Sequence, residues 1–113
     1  MSSTDDHLRR ARQGIGKYHK SSPEVAGAFT SLHEAALSDG EMSRAVKELM
    51  AVAIGVVTHC DGCVAWHLKA AADAGATRAM AIETLDVAVL MGGGPATISV
   101  AEAMELVDEL LPG

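Results

Sequence analysis

Aromatic residues are almost missing from this chain: one Trp, one Tyr and one Phe give an aromatic content of 3%, although 49% of the residues are hydrophobic. A core must therefore be built from Ala, Val, Leu, Ile and Met, which suit closely packed helices. An alternating strand pattern is also missing, so the sequence predicts an all-α fold. We expect one domain, residues 1–113, with a modest core. So many apolar residues on a short chain favour a homo-oligomer that buries some of them between subunits.

Basic residues and long apolar runs are few as well. Nine Lys and Arg against fifteen Asp and Glu give a formal net charge of -6, and no basic stripe exists to neutralise phosphates, which argues against nucleic acid as a partner. The longest apolar run, Leu49 to Val57, is too short to span a bilayer. The polar, acidic N-terminus does not resemble a secretory or transit signal. Together these absences predict a cytoplasmic protein without a membrane partner.

Helix caps and helix breakers divide the chain into about six predicted helices. The predicted helices run from Thr4 to about Tyr18, from Pro23 to a stop at Gly40, from Arg44 to about Val57, from Cys60 to Ala74, from a Thr77 cap to Met91, and from Pro95 to Leu111. The glycines at 92–94 are interpreted as a tight turn where two helices pack closely, because a phosphate loop would need a Walker lysine and a preceding strand.

Isolated histidines and methionines have simple structural interpretations. The histidines expected to be exposed are His7, His19 and His33. The methionines expected to fill the core are Met42, Met50, Met80, Met91 and Met104.

Both cysteines of the chain, Cys60 and Cys63, stand three residues apart, and His67 follows four residues after the second. In a reducing compartment such a pair is more often a redox or metal site than a permanent crosslink. On a helix that begins near the cysteines, Cys63 and His67 lie on one face, one turn apart. An imidazole can take the thiol proton, and a helix start favours an anion, so Cys63 is a candidate nucleophilic thiolate with a disulfide partner beside it.

Glu48 is a candidate partner for that histidine. The third and fourth predicted helices form a hairpin, with Glu48 about 15 Å before the turn and His67 about 10 Å after it at 1.5 Å per residue. In an antiparallel hairpin the two side chains can meet, directly or through a water. Glu48 begins a helix segment that is apolar nearly all round, so it is either a solvated helix-start residue or a buried acid that fixes the tautomer of His67.

The combination of these residues resembles the carboxymuconolactone decarboxylase-like superfamily, and within it the alkyl hydroperoxidase D-like proteins, over about residues 25–110. The matching stretches are Lys47-Glu48-Leu49, Cys60-Asp61-Gly62-Cys63 with His67, Ala74-Gly75-Ala76-Thr77 and Met91-Gly92-Gly93-Gly94-Pro95-Ala96. The resemblance implies an all-α fold in homotrimers or hexamers, and a redox-active cysteine pair that reduces hydroperoxides with no bound cofactor. The decarboxylases of the superfamily act on a lactone and generally lack this pair, which argues against decarboxylation here.

The resemblance also implies a role for each site residue. Cys63 resembles the peroxidatic cysteine, which becomes a sulfenic acid, and Cys60 resembles the resolving cysteine, which closes the disulfide and meets a thioredoxin-like or lipoyl-type reductant. His67 and Glu48 resemble a proton relay. The best-studied pattern has a histidine immediately before the second cysteine, where this chain has Gly62. One relay member is therefore missing, so we expect weak peroxidase activity or a different disulfide or thiol substrate.

Two other functions stay open from the sequence. A zinc-binding module could use two sulfur and two nitrogen donors from His59, Cys60, Cys63 and His67, although their short spacing is awkward for a single ion. The chain could also be a non-enzymatic, oligomeric member of the same fold.

Overall fold

The computed structural model describes residues 3–113, without the side chains of Ser3, Thr4, Asp5 and His7. Within this part of the chain the structure has six helices and no strand, so the predicted all-α fold is confirmed. The helices are α1 (Ser3–Ser21), α2 (Pro23–Leu37), α3 (Arg44–Val57), α4 (Asp61–Asp73), α5 (Arg78–Gly92) and α6 (Gly94–Leu110).

Local signals set most helix boundaries as expected. Ser43 and Thr77 cap α3 and α5, since their side chains accept hydrogen bonds from the N–H groups of Val46 and Met80. The prediction was wrong at the end of α2, which stops at Leu37 rather than at Gly40. The chain turns extended at the next residue, whose ψ is 153°, and this leaves a short loop before α3.

The hydrophobic core lies among α3, α4, α5 and α6. Its largest fully buried apolar side chains are Leu68, Val52, Val56 and Val107. Alanines fill much of the remaining space, including Ala65 and Ala71 on α4, Ala81 and Ala88 on α5, and Ala96 and Ala103 on α6. Small side chains let the helix axes approach closely, which is how a chain with so few aromatic residues still closes a core.

The glycine turn between α5 and α6 has the predicted tight geometry. Gly93 has a φ of 70°, in the left-handed region that favours glycine. A Cβ atom added at Gly92 would lie 2.5 Å from the Cβ atom of Ala96, so only glycine fits there. This turn is therefore a packing feature of the helical fold.

Several large apolar side chains face away from this core. The most exposed are Val25, Phe29 and Leu32 on α2, Ile54 on α3, Val87, Leu90 and Met91 on α5, and Ile98 on α6. The prediction that the methionines fill the core was wrong for Met42, Met50 and Met91, which are exposed. None of the helices described here is both long and apolar enough to cross a membrane.

Candidate functional site

The two cysteines form a disulfide at the start of α4, with their Cα atoms 5.2 Å apart. Cys60 is the N-cap of α4, and its sulfur accepts a hydrogen bond from the N–H of Cys63 at 3.2 Å. The sequence predicts that the helix start acts on Cys63, whereas in the structure this hydrogen bond is made to the sulfur of Cys60. The reason is geometric, because a capping side chain receives the N–H of the third helical residue, and that residue is Cys63.

A tight turn connects α3 to this disulfide. The N–H of Cys60 donates to the carbonyl of Gly55 at 2.9 Å, and the N–H of His59 donates to the carbonyl of Val56 at 3.2 Å. His59 has a φ of 58°, which is unusual for a residue with a side chain. The turn thus brings the cysteine pair directly against the last turns of α3.

Glu48 and His67 meet across the α3–α4 hairpin, as the helix-rise argument predicted. The Nδ1 atom of His67 lies 2.6 Å from Oε1 of Glu48, and the Glu48 side chain is 0% exposed. Of the two interpretations left open for Glu48, the buried acid with a histidine partner is confirmed. His67 follows Cys63 by four residues within α4, so it lies one turn deeper along the same face.

Arg44 is a member of this group that the sequence interpretation missed. Its Nε atom donates to Oε2 of Glu48 at 3.1 Å, and its Nη1 atom donates to Oε2 of Glu34 at 3.3 Å. The hydrogen bond to Glu34 and then that to Glu48 raise the pKa of Arg44 above its usual value. The available signal was the i,i+4 spacing of Arg44 and Glu48 on one helix, which places opposite charges side by side.

These contacts decide which nitrogen of His67 is free. An ionised carboxylate can only accept hydrogen bonds, and one oxygen of Glu48 already accepts from the guanidinium of Arg44. We therefore assign the N–H of His67 to Nδ1, which donates to Glu48. Its Nε2 atom then carries the lone pair that can take a proton.

His33 was predicted to be exposed, and for this residue the prediction was wrong. Its side chain is 23% exposed, and its ring stacks on that of His67 with centroids 5.6 Å apart and planes 22° from parallel. His19 is exposed as expected, while the side chain of His7 lies outside the described part. No sequence pattern predicts the His33 contact, because it depends on how α2 lies across the hairpin.

The four proposed zinc donors do not converge on one point. His59 directs Nδ1 to the hydroxyl of Ser99 on α6 at 3.2 Å, while His67 directs Nδ1 to Glu48. Among the described residues, no group of three or more His, Cys, Asp or Glu side chains is placed to hold a metal ion. His59 therefore faces α6.

A cavity of about 180 Å³ lies beside the hairpin, between the start of α4 and α6. Its lining residues are Gly55, Val56, Asp61, Val64, Ser99, Glu102, Ala103, Glu105 and Leu106. The cysteines, His67 and Glu48 do not line it. The cavity therefore neighbours the disulfide without containing the site described above.

Comparisons with known proteins agree on one family. The family model described as Carboxymuconolactone decarboxylase family matches residues 23–106. An uncharacterized protein of Cupriavidus necator is 36% identical over 103 residues, which are 91% of each chain. The crystal structure of an apo carboxymuconolactone decarboxylase family protein from Legionella pneumophila has a TM-score of 0.90 and 36% identity, covering 95% of this chain and 96% of that one.

A less similar structure has a suggested function. A carboxymuconolactone decarboxylase family protein from Thermotoga maritima has a TM-score of 0.81 and 26% identity, covering 91% of this chain and 88% of that one. Its description suggests involvement in an antioxidative response.

Proposed function

The chain belongs to the carboxymuconolactone decarboxylase family, and on that premise we propose that it is a thiol-dependent hydroperoxidase or disulfide oxidoreductase. The observation that carries the proposal is the bonded Cys60–Cys63 pair one helical turn from a histidine whose other nitrogen is held by a buried carboxylate. A thiol that must lose its proton and a base oriented to receive it are the two requirements of cysteine nucleophilic catalysis. The suggested antioxidative role of the Thermotoga maritima protein is consistent with this chemistry.

In the proposed reaction, Nε2 of His67 takes the proton of the Cys63 thiol. The thiolate attacks one oxygen of the hydroperoxide, the O–O bond breaks, and the alcohol leaves with the proton returned by His67. Cys63 is now a sulfenic acid. The Cys60 thiol gives up its proton, its thiolate attacks the sulfur of Cys63, the S–S bond forms, and the hydroxyl group takes up that proton and leaves as water.

The structure gives Cys60 a feature suited to the resolving role. The N–H of Cys63 and the start of α4 stabilise negative charge on the Cys60 sulfur, which favours its thiolate. A thiolate stabilised in this way is both available for the resolving step and a good leaving group when the disulfide is reduced. Two electrons from a thioredoxin-like or lipoyl-type dithiol would then restore both thiols.

The experiment is mass spectrometry of the reduced protein after one equivalent of an alkyl hydroperoxide. The wild-type protein should lose two hydrogens and form the Cys60–Cys63 disulfide. Cys60→Ser should stop at a sulfenic acid on Cys63 that a dimedone-type reagent labels, and Cys63→Ser should leave the peroxide unconsumed.

Two results would contradict the proposal in different ways. Labelling of Cys60 in the Cys63→Ser protein would exchange the two roles. Unoxidised thiols in the wild-type protein, after exposure to peroxide and to small disulfides, would favour the non-enzymatic alternative.

A further inference from the structure

Two imidazole rings form an offset stack at the edge of the site. The ring of His33 on α2 stacks on that of His67 on α4, with both side chains mostly buried at 23% and 18% exposure. We propose that His33 is a positioning residue: its ring fixes the plane of the His67 ring, so that Nδ1 stays on Glu48 and Nε2 remains the proton acceptor. The catalytic consequence rests on the proposed function, whereas the effect on His67 itself does not.

His67 needs a second restraint because one hydrogen bond does not fix a ring plane. The outer torsion of a histidine side chain has a broad energy minimum, so the ring can tilt about its bond to Glu48. A tilt moves Nε2, the nitrogen farthest from the anchored one. An aromatic ring stacked on the imidazole resists this tilt.

His33 is itself held in place by contacts that tie α2 to α3. The Glu34 carboxylate, next to His33 in sequence, bonds to Arg44, and Nζ of Lys47 donates to the carbonyl of Ser38 at 2.7 Å. Arg44 bonds Glu48 with its Nε atom and Glu34 with its Nη1 atom. One guanidinium therefore connects the carboxylate that anchors His67 to the helix that carries the stacking ring.

The ring of His33 supplies this restraint, and its nitrogens are not needed for it. Its Nδ1 lies 3.7 Å from Oε1 of Glu34, which is beyond hydrogen-bond distance. The titratable groups near it are Glu34 on α2 and His67 on α4, which in turn bond to Arg44 and Glu48 on α3. A stacked face gives no path for a proton between two imidazoles. Phenylalanine at position 33 should therefore still hold the His67 ring in place, whereas side chains without a ring should not.

The test reads His67 directly in the reduced protein. Long-range ¹H–¹⁵N spectra identify the nitrogen of His67 that carries the proton, and the pH dependence of alkylation by iodoacetamide reports the reactivity of the cysteines. In the wild-type protein and in His33→Phe, the His67 proton should be on Nδ1. In His33→Ala the tautomers should mix, and alkylation at neutral pH should slow by up to about a hundredfold, the loss that a misplacement of about 1 Å can cause.

Two further variants complete the design. His19→Ala removes an exposed histidine of α1 and should change neither readout. His33→Gln keeps a polar side chain without a ring, so it replaces the alanine variant if that protein does not fold.

The inference is overturned if ringless variants keep the wild-type tautomer and alkylation profile, or if His33→Phe is as impaired as they are. Neither readout uses peroxide. A protein that shows the His33 effect but leaves hydroperoxide unreduced contradicts the proposed function alone, and a working peroxidase that is indifferent to His33 contradicts this inference alone.

Discussion

Glu48 carries the largest electrostatic cost at the residue scale. Among the described residues, Glu48 is the only charged one that is buried, and none of its surface is exposed. Transfer of a carboxylate out of water is unfavourable unless its oxygens are bonded. Here one oxygen accepts from His67 and the other from Arg44, so both are occupied. The stability of the charged group and the orientation of the histidine therefore depend on the same two bonds.

The first prediction concerns Glu48→Gln, which keeps the shape of the side chain and removes its charge. Loss of one partner of a buried ion pair typically costs about 3–5 kcal/mol. Because Arg44 is 32% exposed and water can solvate it, we expect a smaller loss, of about 1–3 kcal/mol. The measurement is urea unfolding at pH 7.

The control for this prediction is Glu34→Gln, because Glu34 pairs with the same guanidinium from a side chain that is 62% exposed. An exposed pair contributes about 0–1 kcal/mol, so this variant should unfold close to the wild-type protein. Equal losses of unfolding free energy in the two variants would show that the burial of Glu48 does not determine its contribution to stability.

The sequence predicted part of this site for a clear reason. Glu48 and His67 lie on consecutive helices joined by a tight turn, so a fixed rise per residue was enough to place them at similar heights. Such an argument cannot predict the contact between His33 and His67. It depends on the loop between α2 and α3, whose path is set by Arg44 and Lys47 bonding to Asp39 and Ser38.

At the scale of elements, the close approach of α3 and α4 decides where the disulfide lies. Gly55 is the contact point, since a Cβ atom added there would lie 3.3 Å from the Cβ of Cys63 and 3.2 Å from a methyl group of Val64. The sequence placed the hairpin turn correctly. The role of Gly55 could not be predicted, because no sequence pattern shows which helix a glycine within a helix will contact.

The second prediction is that Gly55→Ala destabilises the protein by about 1–3 kcal/mol, the usual cost of overpacking a core. It should also disturb the disulfide, because the contacts include Cys63 and the backbone of Val64. Thermal unfolding measures the first effect, and the rate of disulfide reduction by dithiothreitol measures the second.

The matched control is Gly27→Ala on α2, where an added Cβ would meet nothing within 4 Å. There the better helix propensity of alanine should stabilise the protein by about 0.5–1 kcal/mol. Stabilisation by both substitutions would mean that α3 and α4 can separate without cost.

At the scale of the whole molecule, the apolar residues are divided between a core and a surface. The composition predicts more apolar residues than a small core can hold, but it does not show where on the surface the others lie. The structure places much of it in two stripes with helical spacing: Val25, Phe29 and Leu32 on α2, and Val87, Leu90 and Met91 on α5. Which side of each helix faces outward depends on the packing of all six described helices. Periodicity alone could not therefore separate core methionines from surface ones.

The last prediction is that the protein is a homotrimer or homohexamer in solution and that the α5 stripe lies in the interface. Light scattering after size exclusion should give a mass three or six times that of the chain. Leu90 is 78% exposed, and Leu90→Glu should shift the assembly to smaller species, because an interface would have to bury an unpaired charge. Ala79→Glu is the control, since it adds the same charge to an exposed position of α5 about 16 Å away along the axis. A monomeric wild-type protein would refute the assembly, and equal dissociation of both variants would place the interface elsewhere than at the α5 stripe.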